Sequence, residues 1–436
     1  MQAREAAYRI LTDIENGAYA NIILDGFLRK HELSPADRAL TTEIVYGAVK
    51  YQLKLDYLIK QLVKKAGQLE TGPRLLLRLS FYQLLFLDRI PSSAVTNESV
   101  KLAKKFFHSG IAALVNGVLR NYLRDPRKVA WPDPVQNPAG YLEAEYSHPR
   151  WMIERWLVRY GFADTEKLCR FNNEPAPLWI RTNMLRCTPL ELMERLAREG
   201  CVVRQNSKAA EGLLLLKAPA VYKLPSFQEG LFTVQDESSM LVAHALNPLP
   251  GDTVLDVCAA PGGKTTHLAE LMKNQGAITA CDIHEHRLRL IEENADRLGI
   301  KIIQTVLQDA VKLGESAGGK QYKLILVDAP CSGLGVLRRR ADARWHKSRD
   351  DIKNLARLQQ EIVESALQLL ASGGRLVYST CTLEPEENQD VITATLARHP
   401  ELRLIPDLPG AEGGMRQFLP FRDHQEGFFI AGLKKA

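Results

Sequence analysis

Two short stretches of this chain carry residue types suited to covalent chemistry, Asp328-Ala329-Pro330-Cys331-Ser332-Gly333 and Ser379-Thr380-Cys381-Thr382. Each follows a run that reads as a strand core, residues 324–327 and 375–378, so both thiols are expected in loops at strand ends. The other five cysteines fall in helices, strand cores or the middle of the chain, where a thiol is usually a small buried hydrophobe. A third stretch, VLDVCAAPGGKTTHLAEL at 254–271, reads as strand, glycine-containing turn and helix, an arrangement that turns backbone NH groups toward a ligand. It ends in Gly263-Lys264-Thr265 as a triphosphate-binding loop would, but Cys258 stands where that motif needs a glycine. GxGxxG is also absent. Asp282 closes the next strand 19 positions after Gly263, where a carboxylate accepts from ribose hydroxyls, and Asp309 follows the third strand, placed for an adenine amino group. These features point to an adenosine-containing cofactor without a triphosphate.

An adenosine cofactor, two thiols and an Asp-Pro strand end fit one kind of methyl transfer better than another. A methyl group sent to an amino nitrogen needs no thiol. Carbon 5 of a pyrimidine is a poor nucleophile until a thiolate adds to carbon 6, which makes covalent catalysis by cysteine obligatory. A hydrogen-bonding group at ring N3, a role suited to Asp328, would stabilise the developing charge, and a base must then remove the carbon-5 proton. The target base must also leave any stack. Spacing alone does not order the roles of Cys331 and Cys381.

These groups must be positioned by a sheet. From 236 onward, strand cores at 253–257, 278–281, 302–306, 324–327 and 375–378 alternate with helical runs, the pattern of a parallel doubly wound α/β domain over 236–436. Its carboxyl edge would gather the cofactor loop and both cysteines. Residues 1–130 read as helix after helix, with Ser34-Pro35-Ala36-Asp37 as a cap and first turn, and imply an all-α domain. Three prolines in WPDPVQNP, 131–138, mark a linker, and 139–235 reads as a small α+β middle domain.

Composition excludes several classes. With 45% hydrophobic and 25% charged residues the chain is globular, and no apolar run approaches the roughly 18 residues of a membrane helix. Seven scattered cysteines without CxxC spacing imply reduced thiols and no metal site, and the N-terminus lacks signal-peptide character, so a cytoplasmic protein is expected. The net charge is +6, but residues 1–130 alone carry +8, which suggests a polyanionic partner. Residues 332–349 add six basic side chains against one acid directly after Cys331; Arg338, Arg339 and Arg344 are the expected phosphate contacts.

DVCAAPGGKTTHLA, DAPCSGLGVLRR and YSTCTLEPEENQ closely resemble the motifs of the NOL/NOP/Sun family of S-adenosylmethionine-dependent RNA cytosine-5 methyltransferases. The helical N-terminal third resembles the NusB-type RNA-binding domain that precedes the Rossmann-like catalytic domain in bacterial members acting on small-subunit rRNA. The resemblance implies S-adenosylmethionine along Cys258, Ala259, Ala260, Pro261, Gly262, Gly263 and Lys264, with contacts from Asp282, Asp309 and Asp328. It assigns Cys381 as nucleophile and Cys331 to product release. It also implies 16S rRNA, free or partly assembled, as substrate, an RNA-binding middle domain, and no obligate protein partner. Arg338-Arg339-Arg340-Ala341-Asp342 lacks the proline many relatives place after the basic pair, and His424-Gln425-Glu426-Gly427 varies the usual Asp-Gly turn, both outside the catalytic thiols.

Overall fold

The computed structural model describes residues 2–205, 207–316 and 319–436. The chain forms two compact units, Met1–Glu174 with Leu337–His346, and Pro175–Val336 with Lys347–Ala436.

The first unit is helical: α1 (Ala3–Glu15), α2 (Ala20–Lys30), α3 (Pro35–Lys50), α4 (Gln52–Leu62), α5 (Thr71–Phe86), α6 (Ser92–Phe106), α7 (Ser109–Arg124), α8 (Pro138–Tyr146) and α9 (Arg150–Asn173). Ser34 starts α3 as its sequence suggests: the hydroxyl accepts the Asp37 N–H at 3.1 Å, satisfying one of the helix's orphan donors. Ile10, Ile44, Leu55, Leu76, Phe81 and Leu119 interlock in one apolar core. Each such side chain contributes about 1.5–3 kcal/mol by leaving water.

Past the linker at 131–138, α8 and α9 pack with the N-terminal helices in the same compact unit. Lys54 pairs with Glu145 at 2.7 Å, the Leu53 N–H donates to Ser147 Oγ, and Lys50 Nζ donates to the Asn173 carbonyl. Arg344, expected at phosphate, is instead enclosed in this unit with no exposed surface. Its guanidinium donates to the Ser147 carbonyl at 2.9 Å and to Asn173 Oδ1 at 3.1 Å, and burial lowers its pKa to about 10. The neighbouring Trp345 donates its indole N–H to the Val49 carbonyl at 2.9 Å. The segment that begins six residues after Cys331 is thus structural cement for the helical unit.

The second unit holds two sheets. The smaller, in the order β2-β3-β1-β4, is antiparallel: β1 (Leu178–Thr182), β2 (Val202–Arg204), β3 (Gly212–Lys217) and β4 (Phe232–Val234). Helix α10 (Pro189–Arg198), started by a Thr188–Glu191 capping box, lays Leu192 and Leu196 on Ile180, Leu213 and Phe232. The larger sheet runs β10-β14-β9-β8-β5-β6-β7 with β13 on β14. Its strands are β5 (Thr253–Asp256), β6 (Ala277–Asp282), β7 (Ile303–Leu307), β8 (Tyr322–Asp328), β9 (Leu370–Thr380), β10 (Leu402–Leu404), β13 (Met415–Phe418) and β14 (Phe428–Lys435), with a small hairpin of β11 (Asp407–Leu408) and β12 (Ala411–Glu412) between. Strands β5–β9 are parallel as expected, but β10, β13 and β14 are antiparallel, so the sheet is mixed. The link from β13 to β14, residues 419–427, is too short for the crossover that parallel pairing requires. The accompanying helices are α11 (Pro225–Gln228), α12 (Glu237–Leu246), α13 (Gly263–Leu271), α14 (Glu285–Leu298), α15 (Leu313–Ser316), α16 (Arg349–Gln368), α17 (Gln389–Arg398) and α18 (Pro420–Asp423).

Buried polar groups fasten the small sheet to the large one. Arg181 on β1 is fully buried and pairs with Glu270 on α13 at 2.8 Å. Glu211, just before β3, has its Oε1 2.8 Å from Nε2 of both His244 on α12 and His267 on α13. One carboxylate and two imidazoles are thus gathered at one point of this unit, with His244 hydrogen-bonded to Glu211. Among the described residues no helix is long and apolar enough to cross a membrane.

Arg344→Ala should destabilise the protein by about 2–4 kcal/mol, because it strands buried carbonyl acceptors, whereas Arg340→Ala at the exposed neighbouring position should change stability by less than about 0.5 kcal/mol. Thermal unfolding reads both; an unchanged Arg344→Ala midpoint accompanied by weakened RNA binding would restore the phosphate role.

Candidate active site

The order β9-β8-β5-β6-β7 lines up the carboxyl ends of five parallel strands, and the candidate residues follow in the same order along that edge: Cys381, then Asp328 and Cys331, the loop of residues 258–264, Asp282, and Asp309. Strands β8 and β9 leave the sheet in register, with Val327 opposite Tyr378 and Asp328 opposite Ser379. The Ala329 N–H continues the ladder to the Ser379 carbonyl at 3.0 Å. Both chains then turn outward, and the sulfurs of Cys331 and Cys381 meet at 3.4 Å. The thiol of Cys331 is pushed well above its ordinary pKa, first by its hydrogen bond with Cys381 and then by burial. Gly335 N–H donates to the Cys381 carbonyl at 3.0 Å, and any side chain at Gly335 would collide with the Gly427 carbonyl.

Asp328 sits between two donors. Lys264 Nζ reaches its Oδ2 at 2.6 Å and Ser379 Oγ donates to its Oδ1 at 2.7 Å. Burial works against the Lys264 charge, but Asp328 outweighs it and raises the ammonium's pKa above the ordinary value. The lysine of the glycine loop is therefore tied to the strand end that carries the first cysteine. Ser379 escaped the sequence reading; its only signal was its position two residues before Cys381.

The loop itself needs its glycines. Gly262 adopts φ +95°, a left-handed conformation that favours glycine, and an added Cβ would stand 3.1 Å from the Ile291 Cα. It forms the N-terminal boundary of α13, whose Gly263 carbonyl accepts from Arg181 at 2.7 Å. Arg181 also donates to Thr266 and Gln235, so a side chain of the small sheet fixes the first turn of the cofactor-loop helix. Sequence reasoning missed Arg181, since a single arginine inside a strand core carries no motif. At Asp256, burial raises the carboxyl pKa to about 7 despite the Thr265 hydroxyl bond, and Cys258 is likewise pushed up by burial. The Ala259 N–H donates to the Cys281 carbonyl, which fastens the loop to β6.

Asp282 is 6% exposed at the end of β6, where its Oδ1 accepts the His284 N–H at 3.0 Å and its Oδ2 lies 3.7 Å from Arg287. Asp309 accepts the Val311 N–H at 3.0 Å and caps a short 3₁₀ turn. Of the basic residues after Cys331, Arg338 lays its guanidinium 3.9 Å from the Phe171 ring, and Arg338 and Arg339 are half-buried. Arg340, which the sequence reading did not single out, is exposed.

Known proteins share both the architecture and the motifs. The family model described as 16S rRNA methyltransferase RsmB/F matches residues 243–434, the NusB family model matches 1–124, and an RsmF/B-like ferredoxin-like domain model matches 148–222. The probable ribosomal RNA small subunit methyltransferase B of Bacillus subtilis is 42% identical over 99% of this chain and 98% of its own length. The ribosomal RNA small subunit methyltransferase B of Serratia proteamaculans is 36% identical over 92% of each. The crystal structure of PH0851 matches with a TM-score of 0.83 at 30% identity, covering 99% of this chain and 98% of that one. NSun6 from Pyrococcus horikoshii, solved with SFG, matches with a TM-score of 0.59 at 27% identity over 66% of this chain and 98% of its own. Full-length identity, a NusB-like helical start and a mixed α/β sheet that presents the three motifs on one edge together establish that the chain belongs to the RsmB/F family of S-adenosylmethionine-dependent small-subunit ribosomal RNA methyltransferases.

Proposed function

We propose that this protein methylates carbon 5 of a cytosine in 16S rRNA through a covalent bond between Cys381 and carbon 6 of the base. The observation that carries the reading is the pair of sulfurs 3.4 Å apart at the ends of adjacent parallel strands, beside an Asp328 held by Lys264 and Ser379. A methyl transfer that needed no thiol would have no use for that pair.

The residues of the sheet edge fit the cofactor. Gly263 has no neighbour closer than 4.0 Å to an added Cβ, which leaves room for a ligand against the loop, and among the described residues the Asp282 carboxylate is engaged by only one close donor. Residues 258–264, Asp282, Asp309 and Asp328 would hold S-adenosylmethionine, which supplies an electrophilic methyl group. The chain's own residues do the rest. Cys381 adds as thiolate to carbon 6 of the flipped cytosine, and the displaced ring electrons make carbon 5 nucleophilic. Cys331, its sulfur 3.4 Å from that of Cys381, is placed to donate its S–H to the Cys381 thiolate before attack and after release. Asp328 faces the N3 edge of the base, oriented by its two donors. Once carbon 5 carries the methyl group, loss of its proton re-forms the C5–C6 double bond and expels the Cys381 thiolate. Arg338 and Arg339 would hold phosphates of the RNA, the helical unit and the small sheet would contribute further RNA contacts, and the reaction would take place in the cytoplasm on rRNA free or partly assembled, without an obligate protein partner.

Four outcomes are expected. Cys381→Ala should abolish transfer while binding S-adenosylmethionine normally. Cys331→Ala should accumulate a protein–RNA adduct that survives denaturation and disappears with RNase; an adduct in the Cys381 variant instead would exchange the two roles. Asp282→Ala should weaken S-adenosylmethionine binding by about 1–3 kcal/mol in calorimetry, with RNA affinity unchanged. Arg339→Glu should weaken RNA binding and lower the salt dependence of log K by about 0.7 for each phosphate no longer neutralised, and an unchanged slope would remove Arg339 from the interface.

A further inference from the structure

One buried acid in the cysteine motif has no part in the chemistry above. Glu387 lies six residues after Cys381, in the 3₁₀ turn Pro385–Glu387, and has no exposed surface. Its carboxylate is surrounded by donors, most of them from the two cysteine loops. Oε2 accepts the Ser332 N–H at 2.7 Å and the Gln359 side-chain amide at 3.0 Å. Oε1 accepts the Ser332 hydroxyl and lies 3.2 Å from the Thr382 hydroxyl, and the two hydroxyls stand 2.7 Å apart, so their two protons are shared among these three contacts. Ser332 follows Cys331 and Thr382 follows Cys381. The same Gln359 amide donates to the carbonyl of Pro330, the residue before Cys331, at 2.9 Å. Tyr378 on β9 donates its hydroxyl to the Glu387 carbonyl at 2.6 Å, which anchors the turn itself. The whole cluster is enclosed: Ser332, Thr382, Gln359 and Tyr378 are, like Glu387, 2% exposed or less.

A buried carboxylate held by four polar contacts is an expensive feature for a protein to carry. Removing such a group from water costs several kcal/mol, recovered only when its lone pairs are filled by well-aligned partners. A stability role would be met as well by apolar side chains of similar size. Ser332 and Thr382 supply three of the four side-chain and backbone contacts to the carboxylate, and each of these residues directly follows a cysteine. We infer that Glu387 is a positioning residue for the reaction, fixing the separation of the Cys331 and Cys381 sulfurs by clamping Ser332 and Thr382 to one carboxylate. The inference rests on the covalent reading of the two cysteines. It predicts that the carboxylate matters to the reacting step rather than to the binding of either substrate.

The chemistry of the clamp distinguishes two substitutions. In Glu387→Gln the amide oxygen can keep the Ser332 N–H and the Gln359 amide, while the amide NH₂ faces two hydroxyls that accept as readily as they donate. In Glu387→Ala every donor loses its acceptor, and both loops are released. The probe is rRNA carrying 5-fluorocytidine, because a fluorine at carbon 5 cannot leave as a proton and the Cys381–carbon 6 bond therefore persists once formed. Measured in single turnover with saturating S-adenosylmethionine, Glu387→Ala should form the adduct about 100-fold more slowly than the parent, the scale expected when reacting groups are misplaced by about 1 Å. KM for RNA and S-adenosylmethionine affinity should stay within about threefold, and Glu387→Gln should stay within about tenfold of the parent rate. Thr382→Val, which removes one hydroxyl from the clamp, should slow adduct formation about tenfold, and it stands in if the alanine variant does not fold. Parent-like adduct rates in folded Glu387→Ala and in Thr382→Val would overturn the inference, as would a loss in Glu387→Gln as large as in the alanine variant. If the parent protein itself forms no adduct on this RNA, the covalent reading fails first, which separates that failure from failure of the clamp.

Discussion

The pairing of β8 with β9 is the constraint on which the site depends. Parallel strands are joined by a crossover, here the helix α16, so residues 50 positions apart in sequence emerge side by side. Register then does the rest: with Asp328 opposite Ser379, the next turns bring Cys331 and Cys381 to 3.4 Å. A slip of one residue would send these side chains to opposite faces of the sheet. The same register sets Ser379 against Asp328, so the acid and the two thiols are placed by one backbone ladder.

Around that ladder, charges are buried in pairs rather than alone. Lys264 ties the glycine loop to Asp328, Arg181 ties the small sheet to α13 through Glu270 and the Gly263 carbonyl, and Glu387 joins the loops that follow the cysteines. Each of these arrangements is costly to desolvate and becomes favourable only when its geometry is met. They contribute less to stability than apolar packing of the same volume would, but they hold specific atoms at specific distances. That trade suits a site in which a thiolate, an acid and a methyl donor must meet.

Much of this was legible in the sequence because chemistry restricts residue type. The strands β5 to β9 were readable from short apolar runs, and with them the gathering of the cysteines, Asp328, Asp282 and the glycine loop along one sheet edge. What was not legible depends on partners distant in sequence. Arg344 lies in a basic stretch that reads as a set of phosphate contacts, and only the Ser147 and Asn173 acceptors, far back in the chain, make it an interior group. The acids of Glu384-Pro385-Glu386-Glu387 look exposed for the same reason, although Glu387 meets its donors from Ser332 and Gln359. The prolines of 131–138 separate the stretches matched by the NusB and ferredoxin-like models, while the packing of α8 and α9 on the N-terminal helices, which depends on pairs such as Lys54 with Glu145, has no local signal. Strand β14 runs antiparallel to β9, β10 and β13 alike, a direction set by long-range pairing and not by its own residues.

The covalent mechanism stands or falls on which sulfur carries the substrate. The direct measurement is mass spectrometry of the wild-type protein after reaction with 5-fluorocytidine-containing rRNA and S-adenosylmethionine, with nuclease and protease digestion to locate the nucleotide on a peptide. The mechanism predicts one modified cysteine, Cys381, joined to a methylated 5-fluorocytidine, with Cys331 unmodified. A nucleotide on Cys331, or a methylated product with no cysteine adduct at any time, would contradict it.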